Sequence, residues 1–177
     1  MAKSSVKQIE QDEKKIIYEL SKNANKSIND IAKSLGFSRQ KVWRVINNLE
    51  RNHTIWGYVA VLDNEKLNKK RFMMLIKRTN QPITKKLIDD ITTRKIADEV
   101  RVNGIDITCS FYTHGNYDWI ICFDAPDIKE AKGFMEYYNK LYEGFLSDIH
   151  LIEIMFSAVR SGVRNPEIKK LNDFFNI

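Results

Sequence analysis

The sequence predicts an α+β protein in two parts, an N-terminal helix-turn-helix and a C-terminal ferredoxin-like βαββαβ unit. Three observations carry this. Residues 9 to 51 place apolar side chains at helical spacing in three short segments, whereas residues 71 to 157 alternate apolar and polar positions between two helical stretches. Positive charge is concentrated at the start of the chain. Through Gly57, eleven Lys and Arg face six Asp and Glu, while the remaining 120 residues carry eighteen against seventeen.

In the first segment Ile9, Ile16, Ile17 and Leu20 mark an apolar face that ends near "SKNANKS". The second opens at Ser27, with Asp30 at capping-box spacing, and buries Ile28, Ile31, Ala32 and Leu35 before Gly36 stops it. Ser38 caps the third, so "GFS" is the turn between helices two and three. Along "SRQKVWRVINNLE" the residues Val42, Val45, Ile46 and Leu49 share one arc of about 100°. Gln40, Arg44, Asn47 and Arg51 lie opposite, with Arg39 and Trp43 on one shoulder and Lys41 and Asn48 on the other.

That polar face suits duplex DNA. Ser38 and the backbone amides at the helix start can hold a phosphate, with Arg39 and Lys41 near enough to assist. Gln40, Arg44 and Asn47 project furthest from the core and can pair with purine edges. Trp43 suits a DNA contact and packing on a neighbouring element equally. A localised basic excess favours polyanions, with ordinary solubility charge as the alternative. The stretch "ERNHTIWGYVAVLD" that follows is read as a turn and then a wing or linking strand, the latter over residues 58–70. Residues 1–57 are therefore taken as the helix-turn-helix domain.

The second unit, residues 71–160, begins with Phe72, Met74 and Ile76 alternating with Met73, Leu75 and Lys77. Thr84 to Glu99 reads as a helix with Leu87, Ile88 and Ile91 on one side. Ile105 to Tyr112 and Trp119 to Phe123 are strands around the hairpin loop "THGNYD". A helix from Asp127 to about Tyr142 carries Ile128, Ala131, Phe134, Met135, Tyr138 and Leu141. A last strand, His150 to Phe156, puts Ile152, Ile154 and Phe156 on one face. The sheet face away from the helices also carries apolar residues, which implies cover by a second copy. In the tail, residues 161–177, Asn165 and Pro166 open a short helix with Ile168, Leu171 and Phe175 on one side.

In the loop, Gly115 permits a backbone turn that exposes amides to a carboxylate, and Asp118 can hold an ammonium group. A purely structural hairpin is the alternative. Cys109 and Cys122 lack metal-ligand spacing and read as reduced core residues, and His53 and His150 as surface or packing residues, so no metal site is expected. No Gly-rich phosphate loop, nucleophile motif or His/carboxylate cluster supports an enzyme. The apolar runs are far shorter than the roughly 18 residues of a membrane helix, and "MAKSSVKQIEQDEKK" is unlike a secretory signal, so a cytoplasmic protein without membrane contact is expected.

Three pieces in order, "QDEKKIIYELSKNANKSINDIAKSLGFSRQKVWRVINNLE", "GYVAVLD" and "HGNYDWIICF", together with the helix and strand that follow, make the chain resemble the Lrp/AsnC family of transcription regulators over roughly residues 11 to 160. The resemblance implies a winged helix-turn-helix, a linker strand and an effector-sensing, dimerising ferredoxin-like domain. It further implies homodimers that assemble to tetramers or octamers, double-stranded DNA as partner, no cofactor, and an amino-acid effector at the loop, where Thr113, His114, Asn116 and Tyr117 join Gly115 and Asp118. The family usually has basic residues where this chain has Trp43, Val45, Asn47 and Asn48, so base or shape contacts should supply more of its affinity. An enzyme on the same scaffold and a helix-turn-helix used as a protein interaction module are the competing readings.

Overall fold

The computed structural model describes residues 6–93 and 104–175. The chain divides into two compact units, one running to Val61 and including Val159–Ile168, the other comprising Leu62–Ala158 and Lys169–Ile177. Among the described residues no helix is long and apolar enough to cross a membrane.

The first unit is built on α1 (Val6–Lys22), α2 (Ile28–Leu35) and α3 (Arg39–Arg51). Ile16, Ile31, Ala32, Val42, Val45 and Leu49 form its buried centre, with Ile17, Leu20, Ile28, Leu35 and Ile46 packed around them. Local chemistry sets the helix ends. The Ser27 hydroxyl accepts the Asp30 N–H at 3.1 Å and donates to the Asp30 carboxylate at 2.6 Å, so the expected capping pair is formed. Gly36 adopts φ 67°, ψ 30° beyond the last turn of α2, a left-handed conformation that costs glycine no Cβ clash. Ile9 departs from expectation: it is 48% exposed. The buried residues of α1 are Asp12 and Ile16, one turn apart, so a carboxylate stands on the face that reaches the core.

The second unit contains β1 (Lys70–Arg78), α4 (Lys85–Thr92), β2 (Asp106–Tyr112), β3 (Trp119–Ala125), α5 (Ile128–Leu141) and β4 (Leu146–Ile154). The sheet order is β2-β3-β1-β4 with every neighbour antiparallel, which is the ferredoxin-like arrangement. Phe72, Met74 and Ile76 of β1, Trp119, Ile121 and Phe123 of β3, and Ala131, Phe134 and Tyr138 of α5 make one buried core. Asp127 caps α5 by accepting the N–H groups of Lys129 and Glu130, and Thr84 caps α4 through the Leu87 N–H.

Residues 58–63, expected to begin a linking strand, form no regular strand, and the first strand of the sheet starts at Lys70. Ile88, Ile128 and Leu141 are exposed at 49%, 40% and 42%, as α4 and α5 bury narrower stripes than their periodicity suggested. Residues 94–99 of the predicted helix lie outside the described residues. The last strand spans Leu146–Ile154, since it must pair along the whole of β1, from Arg71↔Ile154 to Arg78↔Leu146. Ile149 and Leu151 pack against the core, so the alternate residues Ile152 and Ile154 lie on the opposite face.

An unexpected hairpin, β5 (Val159–Arg160) and β6 (Val163–Arg164), turns through Ser161 (φ 47°) and Gly162 (φ 78°). Two consecutive positive-φ residues are the signature of the tight turn that suits hairpin twist. The tail helix starts later than expected. A 3-10 turn at Ile168–Lys170 precedes α6 (Leu171–Phe175). Phe174 rather than Phe175 makes the aromatic contact, its ring 5.7 Å from that of Phe156, though both side chains are exposed, at 45% and 64%.

Candidate nucleic-acid interface

The first turn of α3 is prepared by the segment before it. Phe37 donates its N–H to the Ala32 carbonyl at 2.9 Å, closing the end of α2, and Ser38 then takes the extended conformation of a helix cap. Its hydroxyl accepts the Lys41 N–H at 3.2 Å, leaving the hydroxyl proton to donate outward. The first intrahelical bond runs from the Val42 N–H to the Ser38 carbonyl at 3.1 Å. The amides of Arg39 and Gln40 precede it, and with the positive end of the helix dipole they suit a phosphate.

Behind this start Val42, Val45 and Leu49 are buried, while Arg39, Gln40, Trp43, Arg44 and Asn48 are exposed or partly so and Asn47 is half-buried. The opposition of faces is what the 3.6-residue period predicts. Trp43 is 55% exposed, so packing within its own unit covers less than half of it and the indole edge can meet a sugar or a thymine methyl. Arg51 donates from Nε to the Asn47 carbonyl at 3.3 Å, which holds the guanidinium along the same face.

Lys41 differs from its predicted role. Its ammonium lies 2.5 Å from Oδ2 of Asp12 and 4.0 Å from the centre of the Phe37 ring, turned toward its own unit rather than toward a phosphate. The hydrogen bond from Lys41 holds the Asp12 carboxyl below its ordinary range, against the opposing effect of burial. Asp12 itself escaped sequence reasoning, although a signal existed: it stands four residues before Ile16, on the apolar stripe, where an unpaired carboxylate is costly. The Tyr58 hydroxyl donates to Oε1 of Glu50 at 3.0 Å and ties the stretch after α3 back to that helix.

The predicted effector residues lie in the second unit. The loop is closed by the Thr113 N–H on the Asp118 carbonyl at 3.0 Å and by the Thr113 hydroxyl on the Tyr117 carbonyl at 2.6 Å. Gly115 has φ 142° with open space around the position of a Cβ, and His114 and Asn116 are exposed. Asp118 also holds the fold together, because Oδ2 accepts the Arg78 N–H at 2.8 Å and its own N–H bonds the Ile76 carbonyl at 2.9 Å. The loop is therefore pinned to the end of β1. Tyr117 meets His150 edge to face at 5.8 Å, and His150 is 2.6 Å from Asp148.

On the sheet face opposite α5, register builds two rows: Cys109, Cys122, Met73 and Ile152, then Phe111, Ile120, Leu75 and His150. Phe111 and Ile152 are 52% and 41% exposed. At one end of this face Arg71 makes a two-pronged bond to Asp124, at 2.8 and 3.0 Å, and Asn64 donates to the same carboxylate at 2.7 Å. No cluster of metal-ligating side chains occurs among the described residues.

Residues 13–55 match the family model described as winged helix-turn-helix DNA-binding. No curated protein matches the chain in sequence. Solved structures match it in fold. An AsnC family transcriptional regulator from Agrobacterium tumefaciens is 22% identical over 88% of this chain and 95% of its own, with a TM-score of 0.62. A transcriptional regulator from Neisseria meningitidis, solved as a complex with L-Met, is 16% identical over 84% of this chain and 90% of its own, with a TM-score of 0.63. AsnC of Escherichia coli is 14% identical over 84% and 93%, with a TM-score of 0.57.

Proposed function

We propose that this chain, which has the fold of the AsnC/Lrp regulators and carries a winged helix-turn-helix DNA-binding domain, is a sequence-specific transcription regulator whose assembly or DNA affinity responds to an amino acid. One observation carries the DNA reading: α3 buries Val42, Val45 and Leu49 while exposing Arg39, Gln40, Trp43 and Arg44 on one face, within the segment that matches DNA-binding domains. Arg39, Ser38 and the first-turn amides would meet phosphates, and Gln40, Arg44 and Asn47 the base edges, with Trp43 at the groove wall. The cationic part of this face is small, so sequence and shape contacts carry more of the binding than charge does.

A twofold homodimer would form through the apolar rows of the sheet, with Met73, Leu75, Ile120 and Cys122 at the centre, because a water-exposed apolar sheet face is otherwise an aggregation risk. Further assembly to tetramers or octamers is part of the same reading, as is action in the cytoplasm. The complex of the Neisseria regulator with L-Met supports an amino acid as the effector class. Here the loop 113–118 would receive it: amides around Gly115 for the carboxylate, Thr113, His114, Asn116 and Tyr117 around the side chain, and Asp118 for the ammonium. With Oδ2 held on Arg78, the other oxygen of Asp118 is the one that would meet that ammonium. Binding is the activity assigned, and no catalytic step is part of this reading.

Selection of bound genomic fragments by the purified chain, with and without a mixture of the twenty amino acids, tests both halves of the proposal. Enriched fragments sharing two half-sites about one helical turn apart are expected, with affinity that falls with salt along the shallow slope of a few phosphate contacts. Equal recovery of all fragments would sink sequence-specific reading, and identical recovery with and without amino acids would sink the effector.

A further inference from the structure

Asp12 is one of two charged residues buried among the described positions, 4% exposed, the other being Asp124. Its carboxylate is used on both sides. Oδ1 accepts from Nε2 of Gln8 at 2.9 Å, one turn earlier in α1, and Oδ2 accepts from the Lys41 ammonium at 2.5 Å. Lys41 is in turn held at three points: by this carboxylate from α1, by the Phe37 ring from the turn, and through its own N–H by the Ser38 cap. All three meet at the first turn of α3.

We infer that Asp12 and Lys41 form a positioning pair that sets the rotation of α3 against α1, and that Lys41 therefore acts on DNA recognition without touching DNA. The inference rests on the DNA-binding reading above. Its physical basis is the cost of separation: a carboxylate removed from water and then deprived of its cation is strongly disfavoured, so the pair permits one arrangement of the two helices where apolar packing alone tolerates several. The geometry makes this matter. Side-chain tips stand about 5–6 Å from a helix axis, so a rotation of roughly 20° carries the ends of Gln40 and Arg44 through about 2 Å. A hydrogen bond keeps its strength over only about 0.5 Å of donor–acceptor distance. Phosphate contacts made by long, flexible side chains survive such a rotation far better than paired bonds to a base edge.

The experiment uses the full chain and the variants Asp12→Asn, Lys41→Met, Lys41→Arg and the double variant D12N/K41M, with Arg39→Ala as a phosphate-contact comparison. Duplex affinity is measured against salt for a selected site and for random duplex. Lys41→Met is expected to keep the wild-type slope of log affinity against log salt, whereas Arg39→Ala reduces it by about 0.9. Discrimination between selected and random duplex is expected to fall about tenfold in Asp12→Asn and in Lys41→Met, and no further in the double variant. Lys41→Arg separates the roles without removing charge. A phosphate contact would tolerate it, but a planar fork cannot occupy the place of a compact ammonium, so discrimination falls with the slope unchanged.

A reduced salt slope in Lys41→Met, or full discrimination in Asp12→Asn, overturns the inference. Amide exchange on the DNA-free proteins judges the pair independently. Protection at the Lys41 and Val42 amides should drop about tenfold in Asp12→Asn while α2 is unchanged, and equal loss across α1, α2 and α3 would mean a purely structural pair. Absence of salt-dependent duplex binding by the wild type would instead sink the DNA-binding reading, leaving the exchange result to decide the pair.

Discussion

At the scale of single residues, the side chains of α3 divide by where they send their charge. Arg44 sends its charge outward and Lys41 inward, although they stand three positions apart and both were candidates for DNA. Arg44→Ala should cost about 1–3 kcal/mol of binding to the selected site and relax preference at one base, measured by affinity for sites substituted one position at a time. A loss spread evenly over all sequences would make Arg44 a phosphate contact. Asp12 supplies a pH dependence with a definite sign. Its folded carboxyl is held below the ordinary value of 3.8, first by the Lys41 hydrogen bond, so the pair stabilises the unit above that value and the contribution is lost as pH falls through the lowered one. The thermal midpoint of wild type should therefore exceed that of Asp12→Asn most at neutral pH, and the gap should close on acidification below about 4. A gap independent of pH would show that ionisation of Asp12 contributes nothing.

At the scale of elements, the hairpin loop illustrates how one side chain fills two roles. Asp118 ends the turn and also accepts the Arg78 N–H from the neighbouring strand, so its deletion exposes an unmatched amide at the edge of the core. Asp118→Ala should lose about 1–3 kcal/mol of stability in urea unfolding. Asp118→Asn keeps an oxygen acceptor for that amide but not the negative charge, so it should retain most of the stability while weakening amino-acid binding in titration calorimetry. If both substitutions leave ligand binding intact, the loop is a structural hairpin. The helices show the complementary point: Ser27, Ser38, Thr84 and Asp127 each accept amide bonds at helix starts, which is why the N-terminal ends of α2, α3, α4 and α5 fall where local chemistry puts them.

At the scale of the whole molecule, the second unit exposes apolar side chains, Phe111 and Ile152 among them, on the outer face of its sheet. The rows through Met73 and Leu75 are apolar from edge strand to edge strand except for His150. If a second copy covers this face, Met73→Asp places a carboxylate at the centre of each contact, among apolar neighbours that cannot compensate its lost hydration. Light scattering at micromolar concentration should then report a monomer for Met73→Asp and at least a dimer for wild type. An unchanged mass would place the subunit contact on another surface.

Period and capping are local properties, so the sequence alone determined the three helices of the first unit, the βαββαβ order of the second, the left-handed turn at Gly36 and the exposed face of α3. Each depends on residues at most four apart, or on a two-residue alternation. Contacts between distant segments carry no such signal. That Asp12 meets Lys41, 29 residues on, and that Asp118 serves Arg78, 40 residues back, are decided by how helices and strands pack. The same holds for the inward face of β4, where alternation marked two candidate sides and only pairing with β1 chose Ile149 and Leu151 for the core. The tertiary structure decided these because burying a charge or an apolar side depends on what lies across the gap, and the chain's local pattern does not contain its distant partner.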